Sequence, residues 1–77
     1  MYATPITARP LEDIIKGKWR QLAGIARIVW DDLTLDELIK SEGDAQKLAG
    51  LVKQRYDMTQ EEADKQVMSF FERHRTT

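Results

Sequence analysis

Seventy-seven residues make one domain, and a chain this short buries a smaller fraction of its surface than a larger protein, so most of its apolar side chains must go inside. Twelve Lys and Arg stand against thirteen Asp and Glu, a formal net charge of −1, which argues against a dedicated binder of phosphate backbones, since such proteins are strongly basic. There is no cysteine, which excludes disulfides, thiolate catalysis and Cys-ligated metals and points to a cytoplasmic protein, and no apolar run approaches the ~20 residues of a membrane span.

Met1 to Pro10 holds both prolines and no helical period. It lacks a basic stretch followed by an apolar core, so it reads as a flexible arm and not as a signal peptide. From Leu11 the pattern turns helical. Ile15, Trp19, Leu22, Ala26 and Val29 recur at alternating spacings of four and three, which places them on one face of a helix from about Leu11 to Trp30, with a weak point at Gly17. Asp31-Asp32-Leu33 is a connector, and Asp tolerates the left-handed backbone that ends helices. Thr34-Leu35-Asp36-Glu37 has the form of a capping box: the Thr34 hydroxyl accepts from the Glu37 N–H while the Glu37 carboxylate reaches back to the Thr34 N–H. It opens a short helix, about Leu35 to Lys40, with Leu38 and Ile39 as its apolar side.

Ser41 is placed to cap a third helix, about Glu42 to Tyr56. Its inward stripe is Ala45, Leu48, Val52 and Tyr56, with Ala49 beside it. Asp57-Met58 mirrors the first connector, and Thr59-Gln60-Glu61-Glu62 repeats the capping box. The last helix spans about Gln60 to Arg73 with Ala63, Val67, Phe70 and Phe71 inward, and His74 to Thr77 forms a fraying tail.

The chain carries an internal duplication. Gly17 lines up with Gly43, Leu22-Ala23-Gly24 with Leu48-Ala49-Gly50, Arg27 with Lys53 and Trp30-Asp31 with Tyr56-Asp57. The repeat is about one helical hairpin long, so residues 11–73 are expected to form an all-α domain of four helices in two hairpins packed together. Gly24 and Gly50 sit mid-helix at matched positions, where each costs about 1 kcal/mol relative to Ala. That cost predicts that helices one and three cross there, where a Cβ would hold the backbones apart.

Few residues are arranged for chemistry. His74 is the only histidine, without a second for a metal site or a nucleophile to serve. The acids of the two capping boxes complement helix dipoles. The four glycines form neither a dinucleotide-binding nor a P-loop pattern. No catalytic, cofactor-binding or metal-ligating residues are assigned, and no enzyme activity is expected. Trp19, Trp30 and Tyr56 fall on inward stripes and read as core aromatics. Two surfaces remain. Ile14, Ile25 and Ile28 trace, with Lys18, a second face of helix one and are the candidate partner surface, for another protein or a second copy. Lys16, Arg20, Arg27, Lys53 and Arg55 gather with Lys18 on helices one and three and form the candidate nucleic-acid face of an alternative reading, although a solvated face accounts for them as well.

Lys16-Gly17-Lys18-Trp19-Arg20-Gln21-Leu22-Ala23-Gly24, Trp30-Asp31-Asp32-Leu33-Thr34, Glu42-Gly43-Asp44-Ala45-Gln46-Lys47-Leu48-Ala49-Gly50, Gln54-Arg55-Tyr56 and Glu61-Glu62-Ala63-Asp64 together resemble the CsbD-like family of small bacterial stress-response proteins, over about residues 12 to 72. The resemblance implies four helices as two roughly orthogonal hairpins in a SAM-domain-like bundle, in a cytoplasmic protein induced by general stress. It carries no catalytic residues. Two departures stand out: Asp31 and Asp57 occupy positions where the family commonly has glycine, and Ile25, Ile28 and Val29 replace its usual Lys and Glu. The expected function is therefore a non-enzymatic stress-response protein working through protein contacts, without cofactor, metal or membrane.

Overall fold

The computed structural model describes residues 11–76, so the reading of Met1 to Pro10 as a flexible arm lies outside the described residues, as does Thr77. Among the described residues the protein is all-helical, with five helices: α1 (Leu11–Gly17), α2 (Trp19–Val29), α3 (Leu35–Ser41), α4 (Ala45–Tyr56) and α5 (Gln60–Arg73). The expected four become five because the first helix breaks at Lys18. Its φ of −114° and ψ of 11° leave the helical region, and its N–H bonds back only three residues, to the Ile15 carbonyl at 3.1 Å, the tight spacing of a closing turn. The weak point foreseen at Gly17 thus acts one residue later, and the break lets Trp19 turn into the core.

Trp19 is the centre of that core. Its indole N–H donates to the Leu38 carbonyl at 2.6 Å, tying the start of α2 to α3. Its ring meets the edges of Phe70 and Phe71, both at 6.3 Å between centroids. Trp30 packs tilted against Phe70, with ring centroids 5.2 Å apart, and donates to Gln66 Oε1 at 3.0 Å. Ile15, Leu22, Leu33, Leu38, Leu48, Val52, Val67 and Phe71 are fully buried around these rings, each contributing about 1.5–3 kcal/mol through removal from water. Helix α4 lies along α5, α2 packs on α3, and α1 touches both α2 and α5.

The helix starts follow local chemistry. Both capping boxes form as read, Thr34 with Glu37 and Thr59 with Glu62. The cap of α4 differs. Ser41 ends α3, where its hydroxyl donates to the Leu38 carbonyl, and Asp44 caps α4 by accepting from the N–H groups of Gln46 and Lys47 at 2.9 and 3.2 Å. The helix therefore begins at Ala45 and not at Glu42, because Glu42 and Gly43 take left-handed backbone, with φ of 60° and 74°. Glu12 of α1 adds a second acceptor there, taking the Ala45 N–H at 2.9 Å. The two connectors also differ: Asp57 takes the expected left-handed conformation, whereas at the first one Trp30 is the cap, with φ of −117°.

Several inward assignments change. Val29 is 48% exposed, whereas Trp30, one residue on, is buried as expected of a core aromatic. Ile39 lies outside while Leu38 is buried. Tyr56 is half-buried, its hydroxyl accepting from the Asp32 N–H at 3.0 Å. His74 is half-buried against Phe70, with ring centroids 4.5 Å apart. The expected crossing at Gly24 and Gly50 is absent: a Cβ added at either would meet nothing within 4 Å. The glycine that packing demands is Gly43, where a Cβ would lie 3.2 Å from the Lys16 Cα and 3.4 Å from the Trp19 ring.

Opposite signs are expected at these glycines. Gly43→Ala should destabilise by about 1–3 kcal/mol through backbone strain and the backbone contact, while Gly24→Ala and Gly50→Ala should each stabilise by up to about 1 kcal/mol through helix propensity; urea melts of the three variants measure this. A second expectation concerns pH. The Thr34 N–H and then the Arg55 guanidinium hold the Glu37 carboxyl below its ordinary value of 4.5, and the Lys47 N–H, with Gln46, holds that of Asp44 below 3.8. Depressed carboxyls add stability that is fully present above those ordinary values and lost as pH falls through the lower folded ones. Urea midpoints followed from neutral pH to about pH 2.5 should decline below the ordinary values, and the decline should be shallower in Glu37→Gln and Asp44→Asn.

Candidate functional site

The three isoleucines of the candidate partner surface do not share one environment. Ile14 and Ile25 are half-buried, and Ile25 packs against the core. Ile28 is 80% exposed, the most exposed large apolar side chain among the described residues. The break at Lys18 separates Ile14, on α1, from the other two, on α2. The structure also exposes Val29 on α2 and Ile39 on α3, both read as inward, and Leu35, one turn before Ile39 on α3. One signal for Val29 was present in the sequence. Trp30 follows it, and the larger ring gains more from burial, so the helix settles with Trp30 inward.

The basic residues also divide. Lys16 and Arg20 line one shallow cleft at the α1–α2 break, together with Trp19, Ile39 and Glu42. Arg27 lies exposed on α2. On α4, Lys53 reaches Gln60 Oε1 at 3.5 Å. Arg55 is committed to structure: one guanidinium nitrogen bonds the Glu37 carboxylate at 2.6 Å and the other the Asp32 carbonyl. It thereby fastens the end of α4 to the start of α3. The structure brings Lys16 and Arg20 together but does not leave Arg55 available as part of a basic face.

A cleft of about 280 Å³ runs between the end of α2 and α5. Val29, Trp30 and Phe70 supply its apolar wall, and Lys65 and Arg73 its only charges. A second cleft, of about 400 Å³, lies between α3 and α4, with Leu51 and Gly50 below Lys40 and Lys47. Among the described residues no group of three or more His, Asp or Glu is placed to hold a metal ion, and no buried side-chain nitrogen or oxygen lacks a partner. No described helix is long and apolar enough to cross a membrane. The pKa values of Glu37 and Asp44 are held down by helix-capping N–H groups, the opposite of the raised pKa a general acid needs.

Comparison with known proteins agrees with the motif string. The chain is 50% identical over 62 residues to a UPF0337 protein of Bordetella pertussis, an alignment covering 80% of this chain and 94% of that one. It is 43% identical over 61 residues to a UPF0337 protein of Pseudomonas aeruginosa, covering 79% and 94%. A UPF0337 protein of Bdellovibrio bacteriovorus is 39% identical over 59 residues, covering 77% of this chain and 63% of that one. No solved structure matches. The CsbD-like family model matches residues 13–65, which include Trp19, the Ser41–Asp44 turn and both capping boxes, and on that match the chain belongs to the CsbD-like family.

Proposed function

We propose that this chain is a non-enzymatic, cytoplasmic stress-response protein that acts through protein contacts on the exposed aliphatic side of α2 and α3. The observation carrying this reading is the exposure of Ile28 on α2 and of Leu35 and Ile39 on α3, the helix that packs against α2. Large aliphatic side chains left in water are retained at a cost, and a cluster of them marks a contact surface more often than isolated ones do. Stress induction comes from the family likeness. The duplicated-hairpin architecture belongs to the same reading, supported by the matched capping boxes that open α3 and α5. The nucleic-acid alternative has less support, because Arg55 is spent on Glu37 and Glu42 shares the cleft of Lys16 and Arg20.

The test is made in cells that lack the protein and are exposed to heat or osmotic stress. The wild-type chain should restore survival. An Ile28→Glu, Ile39→Glu variant should not, although both positions are exposed and its melting point should stay close to that of the wild type. Full rescue by the variant would refute the contact surface, and retention of the wild type on duplex DNA that weakens steeply with salt would favour the nucleic-acid reading instead.

A further inference from the structure

The cleft between the end of α2 and α5 sorts its lining by chemistry. On α5, Lys65, Ser69 and Arg73 follow one another at intervals of four residues, with Gln66 and Phe70 in the next row, so all five share one side of the helix. Val29 and Trp30 form the facing wall. Trp30 and Phe70 are almost wholly buried, and their rings, 5.2 Å apart between centroids, make an aromatic base. The volume of about 280 Å³ lies just below the range of roughly 300–1,000 Å³ that holds drug-sized molecules, which suits a ligand of a single ring.

Every polar group in the lining offers a donor. Lys65 and Arg73 have no carboxylate partner among the described residues. Gln66 has its Oε1 occupied by the Trp30 indole N–H at 3.0 Å, which leaves its amide N–H groups, and Ser69 adds a hydroxyl. The acids of α5 are directed elsewhere. Asp64 and Glu72 each precede a lining cation by one residue and are turned about 100° from it; they are engaged by Gln60 at 2.9 Å and Arg75 at 3.2 Å. Glu61 and Glu62 lie in the first turn of α5, before the cleft, and the Glu62 carboxylate accepts from the Thr59 N–H at 3.0 Å. Asp31, next to Trp30, accepts from the Tyr56 hydroxyl at 3.4 Å.

We propose that this cleft is a binding site for a small aromatic carboxylate. The ring lies against Trp30, Phe70 and Val29, and the carboxylate sits over Ser69, between the two cations. Lys65 and Arg73 are eight residues apart, about 12 Å along the helix axis, a gap that two long side chains close from either end onto Ser69 at its midpoint. The guanidinium fork of Arg73 matches a carboxylate in both shape and charge. Because the cleft is shallow and its cations are exposed, the expected Kd is on the order of a millimolar. The site is separate from the contact surface proposed above and does not depend on it.

Titration of the isotope-labelled full chain with phenylacetate, followed by amide and indole NMR signals, tests it. Saturable shifts should appear at the Trp30 indole N–H and at the backbone of Gln66, Ser69 and Arg73, while the Trp19 indole N–H, bonded to Leu38 in the core, should stay in place. Neutral phenylacetamide, which lacks the charge, and acetate, which lacks the ring, should each bind at least about fivefold more weakly. Lys65→Gln and Arg73→Gln should each weaken phenylacetate binding by about threefold or more, and the double variant should lose saturable binding. Both positions are exposed, so the variants should keep the helical circular dichroism of the wild type. A wild type without a saturable shift at Trp30, a response to phenylacetamide or acetate equal to that to phenylacetate, or a folded double variant that binds as the wild type does overturns the proposal.

Discussion

Trp19 must enter the core with its indole N–H satisfied, and much of the structure is organised around that requirement. A buried indole without an acceptor would cost about 1–3 kcal/mol, and the acceptor is the Leu38 carbonyl on α3, 2.6 Å away. To reach it, α2 must start in a direction that α1 does not continue, so the helix breaks at Lys18. The carbonyl must also be held in place, which the last turn of α3 and the Ser41 hydroxyl accomplish. Gly43 then passes so close to Lys16 and the Trp19 ring that a side chain there would strike backbone. Break, indole bond and left-handed turn form one linked arrangement, and Phe70 and Phe71 of α5 close it from the other side.

Around that centre the polar groups act mainly as fasteners. Glu12 of α1 takes the first N–H of α4, Arg55 at the end of α4 grips Glu37 and the Asp32 carbonyl, and the Tyr56 hydroxyl takes the Asp32 N–H. These bonds join elements distant in sequence across the molecule's surface. The lowered pKa values of Glu37 and Asp44 follow from the same fastening, because a carboxylate that caps a helix is stabilised in its charged form. The shifted carboxyls therefore serve the fold.

That surface is shaped by the size of the domain. A small chain cannot enclose every apolar residue, but it can choose which ones stay outside. Here Ile28 and Val29 of α2, Leu35 and Ile39 of α3 and Met68 of α5 stay outside. Singly exposed aliphatics need no explanation, and Ile28, 80% exposed, is the extreme case among the described residues.

The capping boxes at Thr34 and Thr59, the all-helical class and most of the core were legible in the chain before folding was considered, because each depends on residues three or four positions apart, and such spacing is printed in the sequence. Ile15, Trp19, Leu22, Leu48, Val52, Val67 and Phe71 are buried as their periodicity requires. The family was legible for the same reason, since a spaced string of tryptophan, glycines and tyrosine is a local record. The break at Lys18, the transfer of the α4 cap from Ser41 to Asp44 and the openness around Gly24 and Gly50 were not legible, whereas the burial of Trp30 was. The first two arise from contacts between elements far apart in the chain, the indole with Leu38 and Gly43 with Lys16, and the third from how the helices pack. Of the candidate site, Ile28 could be picked out by its place on the helix, but its separation from Ile14 came from the break at Lys18 and the exposure of Leu35 and Ile39 from how α3 packs. Periodicity names the face a residue occupies, and packing alone determines which faces remain in water.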